Sequence, residues 1–254
     1  MEPLIGALVG LIIGLTGLGA GILMTPILIL FMKISPSVSV GAALIFSTVV
    51  KLLAGGIYLW RGQVAGRTLL ALMAGGVPAA LGGSWLLYRA RWKGHEDTVT
   101  LALGLLILLA AGLEWRRGHA ARTAAAARQR PGLLALLAVP IGASVGFSSA
   151  GAGSLGTLAL LRFTSLAPVQ VIGTDLAFGL ALSATGGLAH LLQGAADPAL
   201  LGKLLAGGVA GSAAGARLAN RLPGAKLRHY LLCALAALGA VLAARSAWAI
   251  LRVV

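Results

Sequence analysis

Gly14-Leu-Thr-Gly-Leu-Gly-Ala-Gly21 interrupts an apolar run that otherwise extends from Pro3 to Met32. As one helix the run would be about 45 Å long, against a hydrocarbon core of about 30 Å. Its four glycines make a poor continuous helix, since each costs about 1 kcal/mol relative to alanine. Pro26 then lacks the amide that a helix interior uses. The run therefore reads as two half-helices, roughly Pro3–Leu15 and Gly19–Met32, joined by a glycine turn. Each half is about 20 Å long, too short to cross a bilayer comfortably. Broken backbone is tolerated at membrane depth only where protein or a watery cavity satisfies its amides. The turn is accordingly a candidate substrate site.

The same pattern recurs. A shift of 132 positions lays Gly146-Phe-Ser-Ser-Ala-Gly-Ala-Gly153 on the first glycine stretch, and the register holds without a gap from Gly14/Gly146 to Gly83/Gly215. In that window 22 of 70 pairs are identical, among them Gly19/Gly151, Gly21/Gly153, Thr25/Thr157, Pro36/Pro168 and Gly41/Gly173. Apolar composition alone explains far fewer, so the chain is an internal duplication, and the repeat dictates the architecture.

With 254 residues, 59% hydrophobic and 10% charged, and a mean hydropathy of +0.97, the composition is that of a helical integral membrane protein. The ten-residue alternation of a membrane β-barrel is absent. The single cysteine, Cys233, leaves no disulfide framework and no four-cysteine metal site. Met1-Glu2-Pro3 lacks the basic region of a cleaved signal. The net charge of +14 lies in connectors between apolar spans, where it acts as a topology signal and does not point to nucleic acid.

The remaining spans read as Val38–Trp60, Thr68–Tyr88, Val99–Trp115, a second broken run Leu133–Leu161, then Val169–Leu192, Leu200–Leu218 and Tyr230–Leu251. Residues 1–115 form the first membrane repeat, 116–132 a basic cytoplasmic linker and 133–254 the second repeat. Taken as eight simple crossings, the chain shows no bias of basic residues. If both broken runs are hairpins, 12 basic residues from Arg61 to Arg228 fall on one side and seven, Lys33, Arg89, Arg91, Lys93, Lys203, Arg245 and Arg252, on the other. The hairpin scheme puts the linker inside, both termini outside, and the two halves in opposite orientations. The expected fold is all-α, with two inverted repeats, each a re-entrant broken helix followed by three spanning helices. Gly75, Ala79 and Gly83, matched by Gly207, Gly211 and Gly215, are small residues at helical spacing and read as helix-packing positions.

A half-helix starting at Gly19 or Gly151 directs unpaired amides and a positive dipole end toward the turn before it. Gly17, Gly19, Gly21, Gly151 and Gly153 leave room for an anion to reach those amides. Thr16, Thr25, Ser148, Ser149, Ser154 and Thr157 offer hydroxyl donors, or else cap the half-helices. Only Lys51 and Asp175 are charged well inside spans. Groups of that kind are paired or functional. Lys51 lies about 13 Å before Trp60 and Asp175 about 10 Å after Pro168, so the hairpin scheme brings both to the inner third as an ion pair or coupling site. His190, about 22 Å along its helix from Asp175, reads as an interfacial residue or a gate. No metal-ligand spacing, nucleophile–base set or phosphate-binding loop is present, so no cofactor, metal or enzymatic activity is expected.

Gly14-Leu-Thr-Gly-Leu-Gly-Ala-Gly-Ile-Leu-Met-Thr-Pro26, with Gly173-Thr-Asp175, Gly187, His190 and Gly194, resembles the signatures of the TauE/SafE sulfite exporter family, also called the toluene-sulfonate uptake permease family. The resemblance covers nearly the whole chain. It implies an inner-membrane secondary carrier of sulfite or organosulfonates such as sulfoacetate or taurine-derived compounds, with export preferred and proton coupling an option. The hydroxyl donors at the breaks suit sulfonate oxygens. The expected partners are that small anion, membrane lipid and a second copy of the chain in a homodimer. Carriage of a carboxylate or metal ion, a membrane-embedded enzyme and a structural subunit are the rival readings.

Overall fold

The computed structural model describes residues 2–16, 20–92, 96–120, 131–194, 198–219 and 224–253, and every regular element among them is a helix. These are α1 (Glu2–Thr16), α2 (Ala20–Met32), α3 (Pro36–Trp60), α4 (Gly66–Trp92), α5 (Glu96–Ala120), α6 (Pro131–Ser148), α7 (Ala152–Phe163), α8 (Pro168–Leu192), α9 (Pro198–Ala219) and α10 (Gly224–Val253). The second apolar run is broken at its glycine stretch, as the sequence predicts, and in the first run α1 and α2 stop on either side of residues 17–19, which lie outside the described part. Among the described residues, stretches of α4, α5, α6, α8 and α10 are long and apolar enough to cross a membrane, while α1 and α2 are shorter apolar helices. The chain is a multi-pass membrane protein. The helix α5 runs on to Ala120, into the basic segment whose residues 121–130 lie outside the described part.

The two halves interleave. α1 packs along α9, and α6 packs along α4, which is one contact made twice under the 132-residue offset. The small-residue stripes carry it. A β-carbon at Gly75 or Gly83 would collide with the carbonyl of Ala135 or Ala143 on α6, and one at Gly207 or Gly211 with that of Pro3 or Ala7 on α1. Phe46 and Phe178, equivalent positions, are fully buried against Gly208 and Gly76, again equivalents. Two matching cores result. One gathers Val9, Leu28, Phe46 and Leu204, and the other Ile141, Leu160, Phe178 and Leu72.

Chain directions follow from the same neighbours. Along α3 and α8, Leu44 lies by Gly186, Lys51 by Gly179 and Tyr58 by Gly173, so these helices are antiparallel. Their register sets Val49 opposite Ala181, which are themselves equivalents. α5 is antiparallel to α10, with Gly104 beside Gly239 and Ala243, and Trp115 beside His229. α1 and α9 are parallel, as Gly6/Leu204 and Gly10/Gly208 show, and Glu2 at the start of α1 meets Lys203 in the second turn of α9 at 3.0 Å. α4 runs parallel to both α6 and α8, as Gly75/Ala135 and Gly83/Ala143, then Gly76/Phe178 and Ser84/Gly186, show. With α6 and α8 parallel, α7 between them doubles back, and residues 149–151 are a hairpin tip. Leucines such as Leu8, Leu70, Leu105, Leu136 and Leu188 face outward. Trp85 and Trp248, each capped by an arginine (Arg89 and Arg252, at 4.5 and 3.4 Å from the ring centroids), sit near helix ends as interfacial anchors.

Candidate anion site at the helix breaks

The second break is built from backbone that helices do not use. Ser149 has φ 58° and Gly151 φ 104°, both left-handed. Ser149 is held there because its amide still closes the last turn of α6 on Val145 O at 2.7 Å. Gly151 then caps α7, with Leu155 N donating to Gly151 O at 3.1 Å. Ser148 donates to Ser144 O at 2.7 Å and accepts from Ala150 N at 3.3 Å. Its hydroxyl thus bonds back to α6 and ties the tip to the end of that helix.

The two breaks meet. A β-carbon on Gly21 would overlap Ser149, and the Ser149 hydroxyl donates to Gly21 O at 2.9 Å. Thr25 Oγ1 lies 2.7 Å from Ser149 Oγ. Since a serine hydroxyl carries one proton, Thr25 is the donor in that pair, and a directed chain runs from Thr25 through Ser149 to the Gly21 carbonyl. The hydroxyls expected to hold an anion thus hold the two breaks together in this conformation. For Gly153, the equivalent of Gly21, no described residue lies within 4 Å of where a β-carbon would sit. Gly17 and Gly19 lie outside the described residues, as do the side chains of Thr16 and Ser154.

One turn along the same face of α7 from Gly153, Thr157 donates to Asp175 Oδ2 at 2.6 Å. Asp175 and Lys51 are each only 9% exposed. The Lys51 ammonium donates to Gly179 O, one turn beyond Asp175 on α8, at 3.2 Å, and the two charges act on each other electrostatically. Glycines admit both side chains: a β-carbon at Gly156 would strike Asp175 Oδ1, and one at Gly179 would lie 2.7 Å from Lys51 Nζ. Nothing in the sequence singled out these two glycines, beyond Gly179 standing four residues after Asp175. Lys51 is two residues, about 3 Å, from the Val49/Ala181 centre, and Asp175 six residues, about 9 Å, from it, toward the same end. Lys51 is thus nearer the middle than its distance from Trp60 suggests.

His190 is buried among the helices. It is 0% exposed, because the close α3–α8 and α4–α6 packing encloses the end of α8. Its Nε2 lies 3.2 Å from Gly146 O, and Ser84 Oγ donates to the same carbonyl at 3.2 Å. Gly146 is in the last turn of α6, where a carbonyl has no partner further along the helix. His190 and Ser84 cap that end from α8 and α4.

A model of the family described as sulfite exporter TauE/SafE matches residues 3–242. This chain belongs to that family. Among its relatives, the "Probable membrane transporter protein YjnA" of Bacillus subtilis (strain 168) is 31% identical over 228 residues, covering 86% of this chain and 89% of that protein. A "Probable membrane transporter protein" of Xylella fastidiosa (strain 9a5c) is 28% identical over 236 residues, covering 87% of this chain and 85% of that protein. No solved structure matches. In this TauE/SafE protein the second glycine stretch is a helix break, and its Ser149 meets Gly21 and Thr25 of the other half.

Proposed function

We propose that this TauE/SafE protein is a secondary transporter, and not an enzyme, that carries a small sulfur oxyanion or sulfonate across the bacterial inner membrane by alternating access. The meeting of two broken helices, through Ser149, Thr25 and Gly21, carries the reading. Two such breaks weaken the backbone, and a scaffold has no use for them. An anion between them would be held by amides at the starts of α2 and α7. Export follows from the family's name, and a proton is the proposed coupling ion. The halves are read as inverted repeats about an axis in the membrane plane, which the antiparallel courses of α3 against α8 and α5 against α10 support. The charge bias then sets both termini outside and residues 116–132 inside. A carrier for a carboxylate of similar size is the second reading, since amides and a buried ammonium hold either group.

Thermal unfolding of the purified protein with sulfite, sulfate, taurine, sulfoacetate and matched carboxylates tests the substrate class. A ligand at 100 times its Kd stabilises the native state by about 2.7 kcal/mol. Stabilisation by sulfur anions alone is expected. Stabilisation by carboxylates alone selects the second reading, and none by either class defeats both. Single cysteines introduced at Arg89 and Arg122, in a Cys233→Ser background, should be labelled from outside and inside respectively. The reverse result overturns the orientation.

A further inference from the structure

Lys51, Asp175 and Thr157 form a buried polar cluster, with Lys51 from the first half and the other two from the second, that the duplication does not repeat. The equivalents of Lys51, Asp175 and Gly156 are Ser183, Ala43 and Met24, so the symmetry-related place has a hydroxyl, a methyl and an apolar side chain where this one has charge. Ser183 donates to Gly179 O at 2.7 Å, the same carbonyl that Lys51 uses. The cluster also lies close to the proposed anion site. Gly153 and Thr157 share a face of α7, one turn or about 6 Å apart. An anion at the start of α7 is therefore one turn from the Lys51–Asp175 pair.

We propose that Lys51 is the charge partner of the transported anion, that the anion and the Asp175 carboxylate exchange on it, and that each monovalent anion is carried together with one proton on Asp175. This rests on the function proposed above and names the coupling device within it. The reasoning is charge balance. With the site empty, the ammonium is balanced by the carboxylate. If an anion arrived while Asp175 stayed ionised, the cluster would hold a net negative charge away from water, which is strongly unfavourable. A proton from solution forming an O–H bond on Asp175 keeps the loaded cluster neutral. Thr157, which donates to the carboxylate, then turns to accept from the acid, as a hydroxyl does either. Among the described contacts of the cluster, α7 offers Gly156 and Thr157, and α8 offers Gly179 and Ser183, none of them charged. The α3–α4 connector, with Arg61 in it and Arg67 just after it, reaches α8 beside Asp175, where Ala65 N donates to Thr174 Oγ1 at 2.9 Å. Phe178 closes the remaining side near Gly156. On α3, α7 and α8, the other groups that titrate or carry charge are Tyr58, Arg162 and His190, each more than one helical turn from the cluster along its own helix.

The test is uptake into proteoliposomes of labelled sulfite, sulfoacetate, taurine and methanesulfonate, with and without a pH difference of one unit. One proton per anion makes the accumulation ratio change about tenfold per pH unit, the equivalent of about 1.4 kcal/mol. The wild type should show that dependence for at least one monovalent probe. Asp175→Asn should still equilibrate the same probe but accumulate none in response to the gradient. Lys51→Met should lose uptake altogether. Thr157→Val, which leaves both charges in place, should keep the tenfold dependence while raising the KM. If Asp175→Asn misfolds, the Lys51→Gln/Asp175→Asn variant removes both charges at once and should move no probe. Gradient-driven accumulation persisting in Asp175→Asn, or full transport by the double variant, overturns the inference and leaves the transporter reading standing. A wild-type protein that moves none of the probes overturns both.

Discussion

Thr25 and Thr157 occupy the same position in the two halves, yet they do different work. Thr25 reaches across to Ser149 of the other half, whereas Thr157 stays within its own half and holds Asp175. The difference traces to two other pairs. Ser149 is matched by Gly17, so the position equivalent to Ser149 has no hydroxyl to offer Thr157 in return, and Asp175 is matched by Ala43. Duplication supplied a scaffold with two equal breaks, and divergence placed charge beside one of them. The two halves thus keep matching cores while the ionic chemistry stays single.

The largest effect should come from the charges themselves. Lys51→Met alone leaves a buried carboxylate without its counter-charge, typically a loss of about 3–5 kcal/mol, and Lys51→Met/Asp175→Leu should recover much of it. Denaturation of the four combinations in detergent measures the coupling, and additive losses would show that the two charges do not interact. Next come Gly21→Ala and Gly153→Ala, equivalent positions with opposite surroundings. The first forces the breaks apart and should cost about 1–3 kcal/mol, as overpacking does. The second should leave the unfolding temperature unchanged and weaken anion uptake. Equal destabilisation by both would mean that Gly153 is as closely packed as Gly21. A smaller contrast is expected between Thr157→Val and Thr25→Val. Loss of a hydrogen bond to a charged group removes about 1.5–3 kcal/mol and loss of a neutral one about 0.5–1.5. If Thr25→Val proves the more damaging, the cross-half chain matters more than the ionic cluster. Smallest of all, Glu2→Gln should shift stability by less than about 1 kcal/mol, since the Glu2–Lys203 pair is partly in solvent.

The membrane class, the two breaks, the duplication and the rarity of Lys51 and Asp175 were all legible in the sequence, because each depends on local properties. A glycine's cost in a helix, the length of an apolar run and the presence of a charge within it need no knowledge of neighbours. The packing stripes Gly75/Gly83 and Gly207/Gly211 were legible for the same reason. Which groups meet was decided by the tertiary structure. Thr25 and Ser149 are 124 residues apart and Lys51 and Gly179 are 128 apart; the first contact depends on how α2 meets the tip after α6, and the second on the register in which α3 crosses α8. That register also seals His190 inside against the Gly146 carbonyl, although its place near a helix end pointed to the membrane surface. A hydroxyl at a break reads equally well as an anion donor or as a latch. The choice between them falls to the nearest acceptor, and for Ser149 that is the Gly21 carbonyl, 2.9 Å away in the other half.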